Sequence, residues 1–159
     1  MADTFMQVDI MLVFATKYRD ALIEYSWDEE LYKYITGIVQ NKDQKMLAID
    51  GDKDHIHIFL SLSGDLSIAE IVREVKKSST NFVNDRRLSK KHFRWQSGYG
   101  AFSYSRKDRD RVINYIKNQK EHHSKENFKE EFKRQLKEFD IEFKEGYLFD
   151  FFEEPESEN

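Results

Sequence analysis

Apolar and polar positions change period several times along the chain, and each change marks an element. The stretch "VDIMLVFATKY" (8–18) alternates and is rich in β-formers, which predicts a first strand. Leu31, Tyr34, Ile35 and Ile38 recur at helical spacing, with Ser26 or Asp28 as the cap. Residues 44–64 read as two strands joined by a tight turn at Asp50-Gly51-Asp52. Ser67-x-x-Glu70 then forms a capping box. It opens a helix whose buried stripe is Ile68, Ile71, Val72, Val75, Ser79, Phe82 and Val83. Aromatic alternation over 92–105, with two glycines, predicts a fourth strand with an irregular approach. A second box, Ser105-x-x-Asp108, starts a helix running through Val112, Ile116 and beyond. Residues 125–143 form a charged amphipathic helix ending near Phe139-Asp140.

Strand, helix, strand, strand, helix, strand is the order of a ferredoxin-like α+β sandwich. The expected architecture is an antiparallel sheet with helices on one face, plus C-terminal helices. The opposite sheet face is then free for a ligand or a partner subunit. At 159 residues the chain reads as a single domain over 1–150, followed by an acidic tail at 151–159. No internal repeat or interdomain linker interrupts it.

Composition narrows the chemistry. The absence of cysteine excludes disulfides, thiolate metal sites and cysteine nucleophiles. The apolar N-terminal run is too short to span a bilayer and has no basic leader, so the expectation is a cytoplasmic protein with no membrane partner. A net charge of −4 argues against nucleic acid, but the distribution reverses that impression. From Arg73 to Arg111 there are twelve Lys or Arg against four acids, whereas Phe139 to Asn159 carries eight acids and one lysine. A local basic surface matters more for phosphate contact than the global sum. A solvated helix face is the other reading of such a run.

Two small constellations carry candidate chemistry. Strand parity puts His55, His57 and Phe59 on one sheet face and Ile56, Ile58 and Leu60 on the other, toward the helices. Two imidazoles so placed either bind one metal ion or form an incidental pair. Tyr115 and Gln119, four apart, share a helix face. A tyrosine can act as a nucleophile, and a glutamine offers a neutral oxygen to hard cations; the bland alternative is a packed tyrosine and a solvated amide. His122 and His123, one turn further on, read as ligands or as residues of a charged, exposed helix end, the latter being the favoured reading, and His92 sits in a basic loop facing phosphate or solvent.

The segments "HIHIFLSL", "LSIAEIVREVKKSSTNFV", "FRWQSGYGAFSYS" and "VINYIKNQKEHH", in this order, resemble the single-tyrosine HUH transposases of the insertion-sequence 200/605 type. REP-associated tyrosine transposases are close relatives of that family. The resemblance covers nearly the whole chain. It implies a divalent metal, Mg2+ or Mn2+, held by His55, His57 and Gln119. It also implies that Tyr115 is the nucleophile, forming a 5′-phosphotyrosine with no nucleotide cofactor. The implied substrate is single-stranded DNA with hairpin-bearing element ends. The implied assembly is a homodimer, in which the tyrosine helix can complete the partner's site. DNA contacts are expected from Lys17, Arg19, Arg73, Lys76, Lys77, Arg86, Arg87 and Arg94. Trp95, Phe93 and Tyr99 are available for base stacking, although Trp95 and Phe93 read equally well as core. Two alternatives compete: a catalytically lapsed or domesticated DNA-binding protein on the same fold, and a metal hydrolase. The hydrolase needs further carboxylate or histidine ligands, and none stands out at motif spacing.

Overall fold

A computed structural model of the chain describes residues 3–17 and 22–144. Arg19 and the acidic 151–159 segment lie outside the described residues. The elements are β1 (Asp9–Ala15), α1 (Asp28–Asn41), β2 (Lys45–Gly51), β3 (His55–Ser61), α2 (Ile68–Asp85), β4 (Gly100–Tyr104), α3 (Arg109–Lys117), α4 (Gln119–His122) and α5 (Phe128–Glu138). They build a four-stranded antiparallel sheet in the order β2-β3-β1-β4. This is the α+β, ferredoxin-like arrangement that the element order predicts.

Every residue of β1 is buried, and so is β3 up to Leu60. A strand buried throughout must be covered on both faces, since a half-solvated one alternates. One face carries Ile10, Leu12, Phe14, Ile56, Ile58 and Leu60 against α1 and α2. The other carries Met11, Val13, Phe59 and Phe102 against Val112 and Ile116 of α3 and Phe128, Phe132 and Leu136 of α5. The expectation of a free second face is therefore corrected. The C-terminal helices have apolar stripes of their own, and they bury them on this face.

Local chemistry explains most boundaries. Ser67 caps α2, its Oγ accepting from Glu70 N at 3.1 Å, a contact that contributes about 1 kcal/mol. Trp27, rather than Ser26 or Asp28, occupies the cap position of α1. The buried stripe of α1 is Leu31, Tyr32, Ile35 and Val39. Tyr34 instead stacks on Phe82 at the seam with α2, its ring centroid 4.1 Å away.

The β2–β3 turn falls later than Asp50-Gly51-Asp52. Pairing continues to Gly51↔Ile56, and Asp52 N donates to His55 O at 3.1 Å. A Cβ at Gly51 would lie 2.2 Å from His55 O, so only glycine fits where the strands close on the histidine. Gly100 has a similar role at the other edge. A Cβ there would lie 2.8 Å from the Phe132 ring, so its absence lets α5 approach β4.

Candidate metal centre and tyrosine site

The two histidines stand next to the central strand, with Ala15 opposite His55 and Val13 opposite His57. Parity holds as predicted: both rings point away from α1 and α2. They are fully buried under the C-terminal helices rather than exposed on an open face. Asp54 and Phe128 fix the His55 ring. Its Nδ1 lies 2.8 Å from Asp54 Oδ1, and Phe128 stacks on it at 4.1 Å with the planes 3° apart. With the Nδ1 proton directed at a carboxylate, Nε2 is left facing the interior.

Glu131 on α5 is the centre of the cluster. Its Oε1 lies 2.9 Å from His57 Nε2, 3.2 Å from His123 Nε2 and 3.6 Å from His55 Nε2. Its Oε2 accepts from Gln119 Nε2 at 3.2 Å and from the Tyr115 hydroxyl. Gln119 Oε1, in turn, is 3.2 Å from His55 Nε2. Arg134 reaches in from the surface side of α5, its Nη2 donating to the Tyr115 oxygen at 3.0 Å.

The electrostatics follow from burial set against pairing. Burial alone would raise the Glu131 carboxyl, but the charge of His57 and the hydrogen bonds from His123 and His57 hold it far below the usual carboxylate range. Burial lowers His57, with Glu131 opposing. For His55, burial also pushes down, but the hydrogen bond and charge of Asp54 outweigh it and raise the ring above its ordinary value. Burial raises the Tyr115 phenol well above its normal value, and the charge of Glu131 adds to this, while Arg134 pulls the other way.

The donor set fits a divalent cation. One ligand atom from each of His55, His57 and Glu131 lies within 4.8 Å of the others, and all three residues are buried. Ligands about 2.1 Å from a cation stand roughly 3–4 Å apart around it. The 2.9 Å and 3.6 Å separations to Glu131 are in that range. The Gln119 amide faces the same point and can add a fourth donor. Imidazole with carboxylate and amide oxygen is a mixed set that suits several first-row divalent ions.

Sequence reasoning placed His55, His57, Tyr115 and Gln119, and the structure brings all four together. It missed Glu131, Asp54, Phe128 and Arg134, and favoured an exposed helix end for His123. A signal for Glu131 was present: it lies at helical spacing on the stripe that carries Phe128, Phe132 and Leu136, where a solvated glutamate does not belong. His123 is nearly buried beside His55, with ring centroids 4.5 Å apart, rather than on an exposed helix end. The tyrosine helix is also not continuous. α3 stops at Lys117, Asn118 leaves the helical conformation, and Gln119 begins the separate turn α4.

The predicted DNA-contacting residues mostly stand elsewhere. Arg73, Lys76, Lys77, Arg86 and Arg87 belong to α2 and its C-terminal end, on the opposite side of the sheet. Lys76, Lys77, Arg94 and the rim of Trp95 line a groove of about 430 Å³ with Thr80, Asn81, His92, Gln96 and Ser97. Trp95 is a core residue in this setting. Its indole N–H donates to Ser79 Oγ at 2.9 Å, and it meets Phe14 and Phe93 edge-on. Phe93 is completely buried, so neither ring presents an open face for stacking, whereas Tyr99 is 39% exposed. Lys17 adjoins the groove through its backbone N–H, which donates to Arg94 O at 2.8 Å. Thr16 N donates to Asp54 O at 2.9 Å, so groove and histidines meet at one end of the sheet.

Among the described residues, no helix is long and apolar enough to cross a membrane. Solved structures share the fold, among them the following two. A candidate transposase from Deinococcus radiodurans R1 aligns with a TM-score of 0.59 at 22% identity, over 75% of this chain and 95% of that one. A REP-associated tyrosine transposase bound to a REP hairpin aligns with a TM-score of 0.58 at 17% identity, over 77% of this chain and 73% of that one. No curated protein matches the chain by sequence. The sequence model described as "Transposase IS200 like" matches residues 4–119, spanning β1 to Gln119 with the histidine pair and the tyrosine inside it. The chain belongs to the family of IS200-like transposases.

Proposed function

We propose that this chain cuts and rejoins single-stranded DNA through a covalent bond between Tyr115 and a 5′-phosphate. The observation that supports it is the convergence of the Tyr115 phenol, two imidazoles and the Gln119 amide on one buried carboxylate. In the cutting step the Tyr115 oxygen attacks phosphorus. The new tyrosyl O–P bond replaces the P–O3′ bond, and the departing 3′ oxygen takes up a proton. Glu131 Oε2 accepts the phenol's hydrogen bond and so orients the hydroxyl, and the phenol proton is lost to solvent as the bond to phosphorus forms. Arg134 stabilises the charge left on the phenol oxygen. A divalent cation on His55, His57 and Glu131 Oε1, with Gln119 as a further donor, would polarise the phosphate as a Lewis acid. Rejoining reverses the step with a different 3′-hydroxyl, and the ester conserves the bond energy.

The substrate we propose is a single strand that carries hairpins at the element ends. The REP hairpin bound by one structural neighbour supports this choice. Phosphates would follow the groove beside α2, which lies at the sheet end where His55 is found. The assembly we propose is a homodimer.

The test uses purified protein, Mn2+ or Mg2+, and single-stranded oligonucleotides from the DNA flanking the gene. A denaturation-resistant protein–DNA adduct is expected. Tyr115→Phe should lose it and keep DNA binding in a gel shift. An undiminished adduct in that variant would overturn the assignment of the nucleophile.

A further inference from the structure

We propose that Lys120 is a positioning residue whose ammonium, locked between Asp28 and Asp50, sets α4 so that Gln119 and His123 face the histidine pair. The inference rests on the metal centre proposed above and concerns what holds that centre in shape.

The need for such a lock comes from α4 itself. It has four residues, no side-chain cap, and a break at Asn118 that separates it from α3. A single helical turn does not hold itself together in water, because nucleation is costly and few bonds repay it. The contacts made by its side chains must therefore decide where it stands. Gln119 and His123 make theirs inward, to His55 and Glu131, at 3.2 Å each. Those distances are already long, so a small drift of α4 would forfeit them.

Lys120 supplies the outward contact. Its Nζ lies 2.8 Å from Asp28 Oδ2 and 3.1 Å from Asp50 Oδ1. It also sits over the rings of Tyr25 and Tyr32, at 5.1 Å and 5.6 Å from their centroids. These groups line a recess of about 470 Å³ between α1 and β2, and the lysine is the cation within it. An exposed ion pair rarely fixes anything. This one differs because Asp28 is buried, two carboxylates share one ammonium, and two aromatic faces flank it. Asp50 is also the residue directly opposite His57 in the β2–β3 pairing. The lock and His57 therefore face each other at one position of the same strand pair.

Partners that orient a ligand without touching the metal typically change its affinity by about tenfold to a hundredfold when removed. The experiment is a Mn2+ titration of the full chain, with free Mn2+ read by electron paramagnetic resonance and thermal melts recorded alongside. Lys120→Met is expected to bind Mn2+ at least about tenfold more weakly. Lys120→Arg, which keeps the charge, should recover most of that loss. Because Lys120→Met strands the buried Asp28 carboxylate, Asp28→Asn/Lys120→Met is measured too and should show the same weakening in a folded protein. Mn2+ affinity unchanged in that folded double variant would overturn the proposal, as would an arginine variant no better than methionine. His57→Ala separates the two readings. If it loses Mn2+ binding while the Lys120 variants do not, only the positioning role falls; if it retains binding, the metal centre itself falls.

Discussion

Replacing Glu131 with glutamine keeps the side-chain shape and removes the charge at the middle of the site. Four donors converge on that carboxylate: His57, His123, Gln119 and the Tyr115 hydroxyl. A glutamine offers a single acceptor oxygen, so about two of these contacts lose their partner. Hydrogen bonds to a charged group contribute roughly 1.5–3 kcal/mol each, which puts the gross loss near 3–6 kcal/mol. Some is recovered. His57 Nδ1 is buried with no hydrogen-bond partner among the described residues, so the ring can move its proton there and accept from the new amide. A net cost of about 3 kcal/mol follows, near the low end for breaking a buried pair. With 159 residues and an unfolding entropy of roughly 2.1 cal/mol/K per residue, Tm should fall by about 9 °C. Calorimetry in excess chelator measures this directly. Adding Mn2+ at about a hundred times its Kd should raise wild-type stability by about 2.7 kcal/mol, and much less in Glu131→Gln. A Tm within about 2 °C of wild type in chelator would refute the reasoning, because the carboxylate would then not be holding α5 to the sheet.

Two further outcomes follow from the same structure. Arg109 holds Asp9 in a two-point pair at 2.9 Å and 2.8 Å, tying the start of α3 to β1, and Asp9 is fully buried. Arg109→Met should cost about 3–5 kcal/mol in denaturant unfolding, and Asp9→Leu/Arg109→Met should regain most of it; equal losses in both variants would contradict this. Stability should also fall on acidification. Glu131 and Asp54 are held below their ordinary values despite burial, so their contribution is present above about pH 4–5 and is lost as pH drops through the lowered folded values. His57, lowered by burial, adds loss of the same sign below pH 6.5, whereas His55, raised by Asp54, gives a gain on acidification that is complete by about pH 6.5. Urea midpoints in chelator at pH 6, 5 and 4 should decline in that order, and a midpoint that rises toward pH 4 would contradict the assignment.

What the sequence made legible was whatever depends on short-range periodicity. Alternation at Ile56, Ile58 and Leu60 oriented the histidine pair correctly, and the Ser67 capping box marked the start of α2. The element order alone pointed to the sheet. What stayed hidden depended on which layer covers which. Nothing local says that α5 lies over β3, so the histidine face read as open and the carboxylate that completes the cluster went unnoticed. Glu131 was legible only as an anomaly, the one acid on the stripe that carries Phe128, Phe132 and Leu136. Spacing also misled at Asn118. A separation of four implies one continuous helix, whereas the chain breaks there and Gln119 reaches the site from a separate turn. Trp95 shows the same limit from the other side: an aromatic in a basic segment resembles a stacking platform until Phe14 and Ser79 are seen to enclose it.

The central claim is that Tyr115 is the residue that becomes joined to DNA. The adduct formed with Mn2+ can be digested with trypsin and nuclease, and the modified peptide sequenced by mass spectrometry. Cleavage after Arg111 and Lys117 gives a peptide, residues 112–117, in which Tyr115 is the sole tyrosine. The phosphonucleotide mass is expected on that peptide and on no other. A nucleotide attached to any other tyrosine, such as Tyr104 or Tyr99, would contradict it.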